Sequence, residues 1–282
     1  MFDFIKRKLE KNRLKKEFKE YSYTINKFNT FWNGEVEYAQ WLHPFEGPKD
    51  ITDSKINFYK KFTNEGDIII DVGAHTGDTT VPMALAVGTK GLVLALEPNP
   101  YVFKILEANS KLNQSQTNIV PLCFAATETK GEFNFNYSDA SFCNGGFLTK
   151  IQNQKHNHNY SLTVKGENLE DYLRSNYAEV MNKIALIKVD AEGFDKYILQ
   201  TISQTIAEFK PYLLLECYKK LTPQERSELY EVVAGKDYEL FYLEGHEEDS
   251  KTIKINSQND MTKWKHFEIL AIPNSKKGNI KI

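Results

Sequence analysis

The sequence predicts an α/β fold, an open and mostly parallel sheet wrapped by helices. Three observations predict it. From Asp67 onward, short apolar, β-branched runs alternate with segments of helical period, as βα units do. Ile68-Ile69-Ile70-Asp71-Val72 is a buried-type run carrying a carboxylate at its end, and Gly73-Ala74-His75-Thr76-Gly77 follows as a glycine-spaced turn. Leu92-Val93-Leu94-Ala95-Leu96-Glu97 repeats the theme of an apolar strand that ends on an acid. In such sheets, ligands bind beyond the carboxyl ends of the strands.

Taken in order, strands are expected near 67–72, 92–97, 118–124, 184–190, 211–217, 238–243 and 265–272. Helices are expected near 77–87, 100–112, 168–177, 194–208 and 222–234. Asn99-Pro100 supplies a cap and a fixed backbone angle for the second helix. The stretch 131–165 interrupts the alternation: Glu132 to Tyr137 has period two and reads as an added strand, with Ser161-Leu162-Thr163-Val164 as its partner. The chain divides into an extension over 1–66 and a main domain over 67–282. Residues 4–20 of the extension carry Lys6, Arg7, Lys8, Lys11, Arg13, Lys15, Lys16 and Lys19, and read as a basic helix with a broken apolar stripe. Such a helix packs on the body or on a second subunit, with membrane-surface contact a weaker alternative. Tyr21, Tyr23, Phe28, Phe31, Trp32, Tyr38, Trp41 and Phe45, interspersed with Gly34, Pro44, Gly47 and Pro48, suggest irregular structure lying over the domain.

The turn after the first strand reads as a cofactor site. It lacks the third glycine of a dinucleotide fingerprint. Gly73 and Gly77 let backbone approach a ligand, and amides at the helix start attract anions. Glu97 leaves the second strand as an acceptor-only group suited to two ribose hydroxyls. Asp71 can hold a cationic amino group. Together they suit S-adenosylmethionine, with its ammonium, carboxylate, ribose and adenine. A nicotinamide oxidoreductase and a non-catalytic binder of S-adenosylmethionine are the alternatives.

Asp71 to Gly77, Glu97-Pro98-Asn99-Pro100, Ala125 to Glu132 and Lys188-Val189-Asp190-Ala191-Glu192-Gly193 resemble the FkbM family of S-adenosylmethionine-dependent methyltransferases over roughly residues 67–215. The last block is the most specific. The resemblance implies a Rossmann-like class I methyltransferase fold with seven strands, the last antiparallel, and a helical extension before it. It implies O-methylation of a sugar, glycan or small metabolite. It places Asp71, Gly73, Ala74, His75, Thr76, Gly77, Glu97, Asn99, Ala125 and Ala126 at the methyl donor. The loop Asp139 to Phe147 is similar to one that the family sets beside the cofactor, with Ser141 and Asn144 as bonding groups.

Lys188, Asp190 and Glu192 are the candidate catalytic residues. Three charges so close at a strand end are costly unless paired or used. A carboxylate can take the proton of an attacking hydroxyl, and Lys188 can fix it. His246, in a loop between the last two strands, is a third candidate base. Glu216 ends the strand after Asp190's; the pair can share a divalent cation, or Glu216 can accept from a substrate hydroxyl. His156 and His158 read as solvated.

Charge is nearly balanced, 36 basic against 38 acidic residues, which argues against bulk attraction to nucleic acid. No apolar run approaches the roughly 18 residues of a membrane span. The start lacks the apolar core of a signal peptide, and Cys123, Cys143 and Cys217 have neither metal nor disulfide spacing. A cytoplasmic enzyme, with a homo-oligomer open, is expected.

Overall fold

The computed structural model describes residues 13–143, 146–148 and 160–278. The chain opens with a hairpin of β1 (Tyr23–Thr30) and β2 (Gly34–Trp41), followed by helix α1 (Asp53–Lys60). Then come β3 (Ile68–Val72), α2 (Thr80–Val87), β4 (Leu92–Leu96), α3 (Pro100–Lys111) and β5 (Ile119–Leu122). Four short strands follow: β6 (Ala125–Ala126), β7 (Gly131–Tyr137), β8 (Phe147–Leu148) and β9 (Tyr160–Glu167). The remainder runs α4 (Leu169–Tyr177), β10 (Ile184–Val189), α5 (Asp195–Thr201), α6 (Ser203–Phe209), β11 (Tyr212–Cys217), α7 (Pro223–Ala234), β12 (Tyr238–Leu243), β13 (Thr252–Ile255) and β14 (Phe267–Pro273).

The main sheet has eight strands in the order β13-β12-β14-β11-β10-β3-β4-β5. The five from β11 to β5 are parallel, and β14 lies antiparallel between β11 and β12. This corrects the expected count of seven, because β13 adds an antiparallel edge to β12. Its four residues, Thr252-Ile253-Lys254-Ile255, expose two of their side chains and gave no apolar run to detect. A second sheet pairs β7 antiparallel with β9, from Gly131 opposite Gly166 to Tyr137 opposite Tyr160.

The expected helical extension is also corrected. Tyr23–Trp41 forms a hairpin, with Tyr23 opposite Trp41 and Thr30 opposite Gly34. Its aromatic richness hid a period of two: Val36 and Tyr38 are fully buried while Glu35 between the turn and Val36 is exposed. Residues 13 and 14 are helical, and 15–22 are not. There, backbone groups bond a distant loop instead: Ala140 N donates to Lys15 O, and Lys19 N to Ser141 Oγ. Residues 4–12 of the expected basic helix lie outside the described residues. The helix expected over 194–208 is two, broken at Ile202.

Strand alternation sends side chains to two cores. Ile68, Ile70 and Val72 face one, with Leu94, Leu96, Ile187, Val189 and Ile198. Ile69, Val93, Leu186, Leu214 and Leu270 face the other, where Ile56, Phe58 and Tyr59 of α1, Val36 and Tyr38 of the hairpin, and α2 pack. Thr52 caps α1 by accepting from Lys55 N. Burying such large side chains stabilises by about 1.5–3 kcal/mol each, so the hairpin and α1 are seated firmly on the sheet.

Candidate active site

A cavity opens at the carboxyl ends of β3, β4 and β10. Gly73, His75, Glu97, Asn99, Ala125, Ala126, Asp190 and Glu192 line it. Val72, Leu96, Phe124, Phe135, Tyr137, Phe194 and Ile198 supply its apolar wall. Gly73 has φ +80°, and a Cβ there would sit 2.0 Å from the carbonyl oxygen of Asp190. Only glycine lets the first turn lie this close to the end of β10.

Glu97 is held in place by backbone. Its Oε2 accepts from His75 N at 3.1 Å and its Oε1 from Asn99 N at 2.8 Å. Burial raises its pKa, against the opposing pull of His75 and those two amides. Asn99 also caps α3, accepting from Tyr101 N at 3.0 Å. The amides of Gly73 and Ala74 donate to Leu96 O, and that of Gly77 to Ala74 O. The turn therefore uses most of its own donors, and α2 begins only at Thr80.

Four residues expected at the donor are not among those that line this cavity. Asp71 shares the face of Ile69, opposite to the cavity. It is fully buried and meets Lys188 Nζ at 3.2 Å, Thr80 Oγ1 at 2.7 Å and Thr79 Oγ1 at 3.3 Å. Thr76 is fully buried against Tyr38, hydroxyl to hydroxyl at 2.8 Å. Ala74 is buried in the second core, and Gly77 packs against Leu106. Sequence reasoning missed Asn109, whose side chain bonds Ala39 N, Ala39 O and Thr76 O and so ties hairpin, α3 and turn together. Nothing in its helical surroundings marked it.

The loop after β7 is clamped to the turn. His75 Nε2 donates to Cys143 O at 3.1 Å and Asn99 Nδ2 to Phe142 O at 2.7 Å. Ser141 turns away, its hydroxyl donating to Glu17 O at 3.3 Å. Asn144, His156 and His158 lie outside the described residues.

Asp190 and Glu192 share the cavity, but Lys188 does not line it. Lys188 is buried on the opposite face, where Nζ reaches Asp71 and, at 3.5 Å, Asp190 Oδ2. Burial opposes its charge, and the two carboxylates outweigh that and hold its pKa above the ordinary value. Burial and Asp190 raise Glu192, with Tyr218, Lys219 and Lys220 pulling it back. His246 lies in an adjoining cleft, its Nδ1 3.1 Å from Tyr59 OH and its ring stacked on Phe58. Burial, with Lys188, lowers its pKa to about 4, which makes it a weak base at neutral pH. Among the described residues no three His, Cys, Asp or Glu side chains are grouped to hold a metal.

A mixed, mostly parallel sheet with flanking helices, a glycine turn after its first parallel strand and an acid ending the next are consistent with an α/β protein of the class I methyltransferase type. The family model described as the methyltransferase FkbM domain matches residues 71–256, more than half of the chain. The chain belongs to the FkbM methyltransferase family, and it is an S-adenosylmethionine-dependent methyltransferase. Among solved structures it is similar to an FkbM methyltransferase from Methylobacillus flagellatus, at 13% identity and a TM-score of 0.44, over 76% of this chain and 50% of that one. It is similar to a precorrin-6y C5,15-methyltransferase from Geobacter metallireducens, at 10% identity and a TM-score of 0.42, over 78% and 86% of the two chains. A SAM-dependent O-methyltransferase from Thermotoga maritima matches at 14% identity and a TM-score of 0.41, over 89% and 78%. No curated protein matches the sequence. No helix among the described residues is long and apolar enough to cross a membrane.

Proposed function

We propose that the chain methylates a hydroxyl oxygen of a sugar, glycan or small metabolite, with residues 67–282 as the catalytic domain and 1–66 as an extension. One observation carries this reading: a ribose-type acceptor, Glu97, and two further carboxylates, Asp190 and Glu192, line the same cavity. The cavity fits S-adenosylmethionine on its own chemistry. Glu97 keeps lone pairs beyond those its two amide donors use. Phe124, Ala125 and Ala126 offer an apolar bed for a base, and Gly73 and Asp190 line the part of the cavity left for the methionine portion. When bound, that cofactor supplies a methyl group already activated by its sulfonium.

The protein's own work is then to orient and to accept a proton. Asp190 or Glu192 would take the proton of the acceptor hydroxyl, freeing its oxygen for the methyl group that the cofactor would supply. Lys188 acts on Asp190 from behind. Asp71 anchors Lys188 and belongs to this support. General-base assistance is worth about 10²–10⁴ in rate, and alignment supplies more. Asp190→Asn and Glu192→Gln should therefore separate in assays with labelled donor and a glycan or lysate acceptor pool. The variant that removes the base loses about 10² or more in turnover while S-adenosylhomocysteine affinity stays near the parent value. Unchanged turnover in both would remove this pair from the mechanism.

A further inference from the structure

The loop whose carbonyls hold His75 and Asn99 is itself gripped from its far side by the start of the chain. Ala140 N donates to Lys15 O at 2.8 Å. Lys19 N donates to Ser141 Oγ at 3.0 Å, and the Ser141 hydroxyl donates to Glu17 O at 3.3 Å. Phe18 adds a ring contact, its centroid 5.1 Å from that of Tyr101 and 6.1 Å from that of Phe142. Just beyond, Trp41 Nε1 donates to Tyr21 O at 3.1 Å and fixes the chain to the hairpin. From the inner side the loop is held by buried Asp139, which accepts from Cys143 N at 3.2 Å.

Two routes run from residues 15–19 to the cofactor cavity, which none of residues 13–22 lines. The first is polar. Phe142 O and Cys143 O accept from Asn99 Nδ2 and His75 Nε2, and the backbone amides of Asn99 and His75 hold the two oxygens of Glu97. The second is a chain of rings. Phe18 meets Phe142, Phe142 meets Tyr137 edge-on at 5.2 Å, and Tyr137 lines the cavity. Phe142 at φ +59° and His75 at φ +49° stand at either side of the clamp. Side-chain-bearing residues keep that left-handed geometry only where their surroundings hold it. Residues 16–20 are exposed, and such a segment opens at a lower free energy than the core. The grip on the loop is therefore adjustable without unfolding the domain.

We propose that Phe18 and Ser141 are positioning residues for the methyl donor: docking of residues 15–19 on the loop sets Glu97 and Tyr137 for binding, so that a filled cavity and a docked chain start strengthen each other. This coupling rests on the assignment of the cavity to S-adenosylmethionine. It is reciprocal by necessity. The factor by which docking raises donor affinity equals the factor by which bound donor suppresses opening of the segment.

The test measures amide hydrogen exchange on the full chain with and without saturating S-adenosylhomocysteine, beside calorimetric titration of the same compound. Bound S-adenosylhomocysteine should slow exchange at Lys19 and Ala140, which lie outside the cavity, by about fivefold or more. Phe18→Ala and Ser141→Ala should each weaken its binding by about threefold to tenfold, the range of one neutral hydrogen bond or one ring pair. Phe18→Tyr keeps the ring and should bind as the parent does. Phe18 is 53% exposed, so its variants should keep the parent's urea midpoint. Exchange at Lys19 and Ala140 that bound compound leaves unmoved overturns the proposal. So does binding by both alanine variants within about 1.5-fold of the parent. The exchange measurement uses the parent alone and decides even where Ser141→Ala, at a buried position, does not fold. A parent chain that fails to bind S-adenosylhomocysteine overturns the cavity assignment and the coupling with it, whereas binding without protection of Lys19 and Ala140 overturns the coupling alone.

Discussion

Replacing Glu97 with alanine removes the carboxylate that the account assigns to the ribose hydroxyls. Glu97 is 7% exposed, and each oxygen already accepts one backbone amide, from His75 and from Asn99. A hydrogen bond to a charged group contributes about 1.5–3 kcal/mol, so two lost hydroxyl contacts amount to about 3 kcal/mol or more. That corresponds to at least about 100-fold in dissociation constant. The same change strips acceptors from two amides, and His75 sits at φ +49° in a turn that those bonds support. A fold penalty of about 1–3 kcal/mol is therefore expected alongside the binding loss. Glu97→Gln separates the effects, because its amide keeps one acceptor but sets an NH₂ group against an N–H donor or into the cavity. It should lose about tenfold or more in affinity with a smaller loss of stability. Calorimetry with S-adenosylhomocysteine, run beside urea unfolding, reads both. If both variants bind within threefold of the parent while folded, the ribose assignment is wrong.

Two further perturbations follow from the buried charges. Lys188→Met leaves Asp71 fully buried with only two threonine hydroxyls, and breaking such a pair costs about 3–5 kcal/mol; a melting temperature lower by less than about 3 °C would contradict the pairing. Asp195 has its pKa raised to about 7 by burial and by Asp190. Above its ordinary value of 3.8 the unfolded carboxyl ionises while the folded one keeps its proton. The folded state then binds more protons, and stability falls as pH rises from about 4 to 7, by about 4 kcal/mol in total. Asp195→Asn should remove that share of the slope in urea melts at several pH values; parallel curves for parent and variant would refute the assignment.

The parts legible in the sequence were those written as uninterrupted apolar runs. Ile68–Val72, Leu92–Leu96 and Tyr212–Cys217 are buried on both faces, so their composition alone marks them. The hairpin was not legible, because one of its strands is largely exposed and its aromatics suggested disorder of pattern rather than period two. At the site, strand ends and turn spacing pointed to Glu97 and Gly73, and both line the cavity. Asp71, expected at the donor, is not among the residues lining the cavity and pairs with Lys188. Phe135 and Tyr137 were visible as an alternating strand, but their place in the cavity wall depends on how a distant sheet folds over the turn. Asn109 and the bonds from His75 and Asn99 to Phe142 and Cys143 are tertiary facts with no local signature.

Where S-adenosylhomocysteine sits decides the assignment of this cavity. A crystal structure with S-adenosylhomocysteine should place the ribose hydroxyls on Glu97, the adenine against Phe124 and Ala126, and the sulfur toward Asp190 and Glu192. Density for the ligand outside this cavity, or a ribose that does not touch Glu97, would contradict it.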